Sequence, residues 1–166
     1  MFISGYHGTS LTSAQSIINE KAFHISTGDK EWLGNGIYFY FGINDALEWK
    51  EAEAIIHTII NVDEDEFLDL DTTEGKRIIR RVKELLKNKY SLTFSKEDKA
   101  VQNNQCAVMK TIWEINDSIS VMAASFPKEP SLIRTLLDER EKRREFCVRS
   151  NKPLIYMHSI KKERLL

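Results

Sequence analysis

The chain is short of the residues that small scaffolds use for covalent or metal support. Among 166 residues there are two cysteines, three prolines and seven glycines. Cys106 and Cys147 lie in apolar-periodic surroundings without metal-type spacing, so they read as core thiols of a reducing compartment. The four histidines, His7, His24, His57 and His158, are scattered and form no ligand pattern, which predicts no metal. No apolar run approaches a membrane span, and Met1-Phe2-Ile3-Ser4-Gly5 lacks the basic start and hydrophobic stretch of a signal peptide; the expected location is cytoplasmic, with no membrane partner. A net charge of −1 provides no global field toward nucleic acid or anionic lipid. Repeats, low-complexity tracts and linkers rich in Pro, Gly or Ser are missing as well, so residues 1–166 read as a single domain, and 42% hydrophobic content is enough for a core.

Charge is unevenly placed within that balance. Asp63-Glu64-Asp65-Glu66 is an acidic block, whereas Lys76, Arg77, Arg80, Arg81, Lys83, Lys87 and Lys89 crowd one later segment. In the same segment, Thr73 to Tyr90, the apolar residues Ile78, Ile79, Val82, Leu85 and Leu86 have the spacing of a helix that buries one face and turns the basic residues outward. Such a face is usually only solvated; the functional alternative is contact with a nucleic acid or an acidic partner.

The remaining pattern predicts strands at both ends and helices between. Phe2 to His7 reads as a strand and Ser13 to Glu20 as a helix, with Thr12-Ser13-Ala14-Gln15 at its entry spaced as a capping box. Phe23 to Ser26 is a short extended piece, Thr27 to Asn35 a loop, and Gly36 to Phe41 a strand. Asn44 or Asp45 is expected to cap a helix through Trp49 to Ala54, followed by a strand from Ile55 to Val62. After the basic helix, a second helix starts at Asn103 or Asn104 and runs through Trp113. Strands then cover Ser118 to Phe126, Arg144 to Arg149 and Leu154 to Ile160, with a turn at Pro127-Lys128-Glu129-Pro130. Strand and helix alternate too little for a parallel doubly wound sheet, which makes the class α+β.

The most informative segment is Gly34-Asn35-Gly36-Ile37-Tyr38-Phe39-Tyr40, preceded by Tyr6-His7-Gly8-Thr9. Glycines around one asparagine allow positive φ and close backbone approach, and the aromatic run that follows is β-prone, so Tyr38 is held where a loop enters a strand. An aromatic ring beside bare backbone is a floor for a flat heteroaromatic ligand.

These residues resemble the ADP-ribosyltransferase family of the diphtheria-toxin and poly(ADP-ribose) polymerase type, whose motif set is His-Tyr-Glu. Tyr6-His7-Gly8-Thr9 is similar to the first motif, Gly34-Asn35-Gly36-Ile37-Tyr38-Phe39 to the second, and Glu145-Phe146-Cys147-Val148 to the third. Trp49, eleven residues after Tyr38, falls where that family places a second aromatic ring. The resemblance runs from about Gly5 to about Val148, resting between Ala54 and Arg144 on order and spacing alone.

The resemblance implies a split pair of small β-sheets packed face to face with flanking helices, and NAD as co-substrate in the cleft between them. His7 would donate a hydrogen bond to a ribose hydroxyl, Gly8 and Gly36 would let backbone approach the ligand, Thr9 would contact a ribose hydroxyl, and Tyr38 and Trp49 would clamp the nicotinamide. Glu145 would stabilise the positive charge that develops as nicotinamide leaves, so His7, Tyr38 and Glu145 form the expected catalytic set. Tyr40 and Phe41 are left to the core. Glu141 is the reserve carboxylate; with Glu139 it makes the Glu-x-Glu of the arginine-specific branch, which lacks the other two motifs.

The implied activity is mono-ADP-ribosyl transfer to a protein or nucleic-acid acceptor. A catalytic domain of minimal size suggests a bacterial toxin or defence effector held by an inhibitor or antitoxin protein. The competing expectations are an inactive module that binds NAD or ADP-ribose, an NAD glycohydrolase, and an RNA 2′-phosphotransferase. The last needs arginines near the first motif, and Gly8, Thr9, Ser10 and Leu11 supply none.

Overall fold

The computed structural model describes residues 1–28, 31–49, 52–90, 98–127 and 142–161. Chain order is β1 (Phe2–Thr9), α1 (Leu11–Glu20), β2 (Ile37–Tyr40), α2 (Ile43–Leu47), β3 (Ala54–Asn61), β4 (Phe67–Asp69), α3 (Thr73–Tyr90), α4 (Asp98–Ile115), β5 (Val121–Pro127), β6 (Lys142–Val148) and β7 (Leu154–Lys161). The protein is thus mixed in class, as α+β requires. The expected pair of small sheets is, by strand pairing, one seven-stranded sheet in the order β4-β5-β6-β2-β1-β3-β7.

The sheet is nevertheless uneven along its width. β1 pairs with β3 over its whole length, from Phe2↔Asn61 to Thr9↔Ala54, and β2 pairs with β6 from Ile37↔Val148 to Tyr40↔Glu145. Between these, β1 and β2 share one register pair, Tyr6↔Tyr40. The two halves therefore meet at a single point and wrap one apolar cluster that draws Ile3, Ile56 and Ile60 from one half and Phe39, Val121 and Phe146 from the other. Gly5 sits where they approach most closely: a Cβ there would lie 2.8 Å from Phe146 Cζ and 3.1 Å from Ile60 Cδ1. A second cluster joins Val82 of α3 and Val108, Ile112 and Trp113 of α4 to Met122 and Cys147. Of the apolar stripe expected on α3, Val82 and Leu86 are buried and Ile78 and Ile79 partly so, whereas Leu85 stays exposed beside the basic face.

Several boundaries differ from expectation for local reasons. α1 begins at Leu11 because the Ser10 hydroxyl accepts the Ser13 amide at 3.2 Å, a cap two residues before the expected box. α2 is only five residues long, has Gly42 rather than Asn44 or Asp45 at its N-cap, and stops before Trp49. The sheet outcompetes helix propensity there: the Glu53 amide donates to the Thr9 carbonyl at 2.9 Å, which draws the chain into β3. α4 starts at Asp98 rather than Asn103 or Asn104, and β5 at Val121 rather than Ser118. β4, unforeseen among acidic residues, pairs parallel to β5 through Leu68↔Met122. The expected turn after Pro127, and Glu139 and Glu141, lie outside the described residues.

Candidate active site

The cleft exists because two neighbouring strands part. Continued past Tyr6↔Tyr40, the antiparallel register would set Gly8 opposite Tyr38. Instead the imidazole of His7 enters the gap and its Nδ1 lies 2.8 Å from the Tyr38 carbonyl oxygen. A carbonyl only accepts, so Nδ1 carries the hydrogen and Nε2 is left with its lone pair. Burial lowers the His7 pKa, which favours the neutral ring. The ring is wedged edge-on against Phe23 at 5.2 Å and Phe39 at 6.0 Å between centroids. The expected polarity at His7 is therefore reversed: its available nitrogen accepts a hydrogen bond rather than donating one.

Beyond this wedge opens a cleft of about 310 Å³. Six of the expected residues line it, namely His7, Gly8, Gly36, Tyr38, Trp49 and Glu145. They come from β1, the approach to β2, β2 itself, the bend after α2, and β6. Thr9 is not among them: it is buried and pairs with Ala54 at the end of β1. The ribose contact expected of Thr9 is not supported by this position.

Tyr38 is anchored at its far end. Its hydroxyl donates to the Gly34 carbonyl at 2.6 Å and accepts from the Leu33 amide at 2.9 Å. Burial pushes its pKa far up, with nearby Cys147, Glu31 and Glu145 adding to the rise, so it remains a neutral phenol with its ring fixed. The hydroxyl is used by the loop, which leaves the ring for a ligand. Trp49, 40% exposed, has no such anchor among the described contacts and stands on a bend rather than a helix.

The glycines are required by the protein's own packing. Gly34 has φ of +83°, and a Cβ there would lie 2.8 Å from Trp113 Cδ1. A Cβ on Gly36 would come within 2.7 Å of the Val148 carbonyl oxygen and overlap the Cys147 sulfur. At Gly8 it would lie 2.5 Å from the Ala46 carbonyl oxygen at the end of α2. Close approach, expected toward a ligand, is made first to β6, α4 and α2.

Glu145 stands opposite Tyr40 in the β2–β6 ladder, which puts both side chains on one face. It is only 7% exposed, unlike the solvated charge that its surroundings in the sequence suggest. Arg143, two residues away on the same face, places its Nε 2.5 Å from Glu145 Oε1. Burial raises the Glu145 pKa, Arg143 opposes the rise, and Asp45 and Glu31 add to it. Arg143 also lies 5.9 Å from the centre of the Tyr40 ring. Tyr40, assigned to the core from sequence, thus lines the cleft, whereas Phe41 packs beside the central cluster as expected.

Sequence reasoning missed six further lining residues: His24, Ser26, Glu31, Trp32, Ile37 and Arg143. Arg143 carried a usable signal, since period-two alternation puts it on the face of Glu145. Trp32 and Glu31 sit in the loop whose path is fixed from a distance, by the Trp113 indole N–H donating to the Leu33 carbonyl at 2.6 Å. No local pattern announces that contact.

The arrangement joins four aromatic rings, Tyr38, Tyr40, Trp32 and Trp49, with one neutral hydrogen-bond acceptor at His7 and a desolvated carboxylate beside a guanidinium. Such a site can hold a flat ring and stabilise positive charge next to it.

Comparison with known proteins gives little further guidance. No family model matches the chain, and no solved structure matches it. An uncharacterized protein of Methanocaldococcus jannaschii is 29% identical over 174 aligned positions, which span 93% of this chain and 78% of that protein.

Proposed function

We propose that this protein is an NAD-dependent mono-ADP-ribosyltransferase that binds NAD in the cleft between β1 and β2, releases nicotinamide and passes ADP-ribose to a macromolecular acceptor. The observation that carries this reading is the convergence of His7, Tyr38 and Glu145 on one cleft, from three strands far apart in sequence. The chemistry suits the groups. Breaking the bond between nicotinamide nitrogen and ribose spreads positive charge over the ribose carbon and ring oxygen, and nicotinamide departs neutral, so no general acid is required. A buried carboxylate at Glu145 that accepts from the ribose 2′-hydroxyl would stabilise that charge more than it stabilises the ground state. Tyr38, with its hydroxyl tied to the loop, would present a fixed ring face to nicotinamide, and Trp49 would close from the other side. His7 Nε2 would accept from a ribose hydroxyl.

One observation favours a second reading, a module that binds NAD or ADP-ribose without turnover: Glu145 is already paired with Arg143. The two readings separate when purified protein is incubated with a cell extract and NAD labelled in its adenosine half. Transfer puts label into protein or nucleic acid; glycohydrolysis yields free ADP-ribose and nicotinamide; binding alone leaves NAD intact. Intact NAD with every extract would remove the enzyme reading.

A further inference from the structure

The exposed side of α3 is predominantly basic. Between Lys76 and Lys87 stand six cations, Lys76, Arg77, Arg80, Arg81, Lys83 and Lys87, and one carboxylate, Glu84; all seven are exposed. The chain as a whole has a net charge of −1, so this stretch at +5 leaves the remainder at −6. The helix cannot roll to hide the charge, because Val82 and Leu86 are buried against α4 and the sheet, with Ile78 and Ile79 packed beside them. At about 100° per residue, Lys76, Arg80, Lys83 and Lys87 fall on one narrow stripe, and at 1.5 Å per residue it runs about 16 Å. Neighbours three and four apart on it repel one another, whereas a helix face that serves only solubility alternates its signs. Among the described residues no carboxylate makes an ion pair with any of these four, and the other acid of the helix, Glu74, is held by Arg77 at 2.7 Å.

We propose that this face of α3 docks the phosphate backbone of double-stranded DNA, independently of the chemistry in the cleft. The partner follows from what the face offers. A row of cations with no counter-charge paired to it among the described residues matches a polyanion that carries about one negative charge per 1.7 Å of its axis. The exposed positions from 76 to 87 hold no aromatic ring on which an unpaired base could stack, and no serine, threonine, asparagine or glutamine to read a 2′-hydroxyl. Single strands and RNA duplexes are recognised through those groups. Binding is therefore by charge, without sequence preference, and its free energy comes from release of counterions.

The test uses the whole protein and a fluorescently labelled 24-base-pair DNA duplex, with anisotropy read at several salt concentrations and no NAD present. Four phosphate contacts predict a slope of log K against log salt near −3.6, so affinity falls about a hundredfold between 50 and 200 mM salt. Lys76→Glu with Arg80→Glu, and separately Lys83→Glu with Lys87→Glu, should each lower the magnitude of that slope by about 2, and a duplex of scrambled sequence should bind within about threefold. Lys152→Glu, a cation exposed elsewhere, should change neither. All five substitutions are at exposed positions, and circular dichroism confirms that each variant folds. The proposal is overturned by absence of binding at 50 mM salt, by a slope unchanged in the double variants, or by tighter binding of an RNA duplex, a single strand or polyglutamate of equal charge. Because NAD takes no part, a negative result here leaves the cleft reading standing, and the failure of that reading leaves this one.

Discussion

The wall of the cleft formed by β2 and β6 and the wall formed by β1 with the segment after α2 use their polar groups differently. On the first, the Tyr38 hydroxyl both donates and accepts within the loop, and Glu145 is met by Arg143. On the second, His7 uses one nitrogen to hold the strands apart and keeps the other, and Trp49 is 40% exposed. The first wall is thus fixed before any ligand arrives, which suits groups that must meet a transition state at set positions. The second keeps capacity for a ligand. Chemistry is expected to fail with changes on the first wall, and affinity with changes on the second.

The largest effect should come from Glu145→Gln, which keeps size and hydrogen bonding but removes charge. Transfer should slow by about 10²–10³ while NAD affinity stays within a few-fold, as initial rates and calorimetry on one preparation would report. An equal loss in both would move Glu145 to the binding side of the comparison.

Gly36→Ala tests how rigid the first wall is. Its new methyl would press on the Cys147 sulfur and the Val148 backbone, and a backbone paired on both sides, with Ile37 and with Val121, yields little. A loss of about 1–3 kcal/mol in stability is expected from denaturant unfolding; an unchanged midpoint would show that this wall adjusts.

Trp49→Ala and Tyr38→Phe sharpen the contrast. Removing Trp49 should weaken NAD binding by about 1–3 kcal/mol, the order of a stacking contact, and leave the melting temperature close to wild type because the ring is partly exposed. Tyr38→Phe keeps the ring and strands the Leu33 amide, so stability should fall by about 1–2 kcal/mol with little change in affinity. The opposite assignment of effects would make Trp49 a core residue and Tyr38 a mere contact.

Legibility in the sequence divides along a different line. His7 and Tyr38 could be placed because their signal is local: glycine beside histidine on a strand, and a glycine-bounded loop running into aromatic, β-prone residues. The need for glycine at 34 and 36 was also legible, but its reason was not, because Trp113 and β6 are 79 and 112 residues away from those positions, respectively, counting to Trp113 and Val148. Glu145 was found by resemblance; a strand from Arg144 was expected, but nothing in the charged run announces that Glu145 is buried on it. Trp32 entered the cleft through a contact between α4 and the loop that no pattern encodes. β4 was missed because three residues beside an acidic block show no alternation, and their strand character comes from β5. α2 was drawn too long because helix signals say nothing of the Thr9 carbonyl waiting for the Glu53 amide.

The smallest effect is one of pH. Burial holds the Glu145 carboxyl above its ordinary value, so its protonated form is the one the fold favours. That contribution is complete below the ordinary carboxylate value near 4.5 and is lost as pH rises through the folded value. Glu145→Gln, neutral throughout, should therefore gain melting temperature relative to wild type between pH 4 and pH 7. His7, held low by burial, acts in the opposite sense: its contribution is present above the ordinary histidine value of 6.5 and declines as pH falls below it, equally in both proteins. A difference that shrinks toward neutral pH would mean that Arg143 outweighs burial at Glu145.

The central claim is that this cleft cleaves NAD, and it is tested most directly by following free nicotinamide over time when wild-type protein is mixed with NAD and extract. The account predicts nicotinamide release that saturates with NAD concentration and matches the NAD consumed. A folded protein that leaves NAD intact under every such condition, whether or not it binds the dinucleotide, would contradict it.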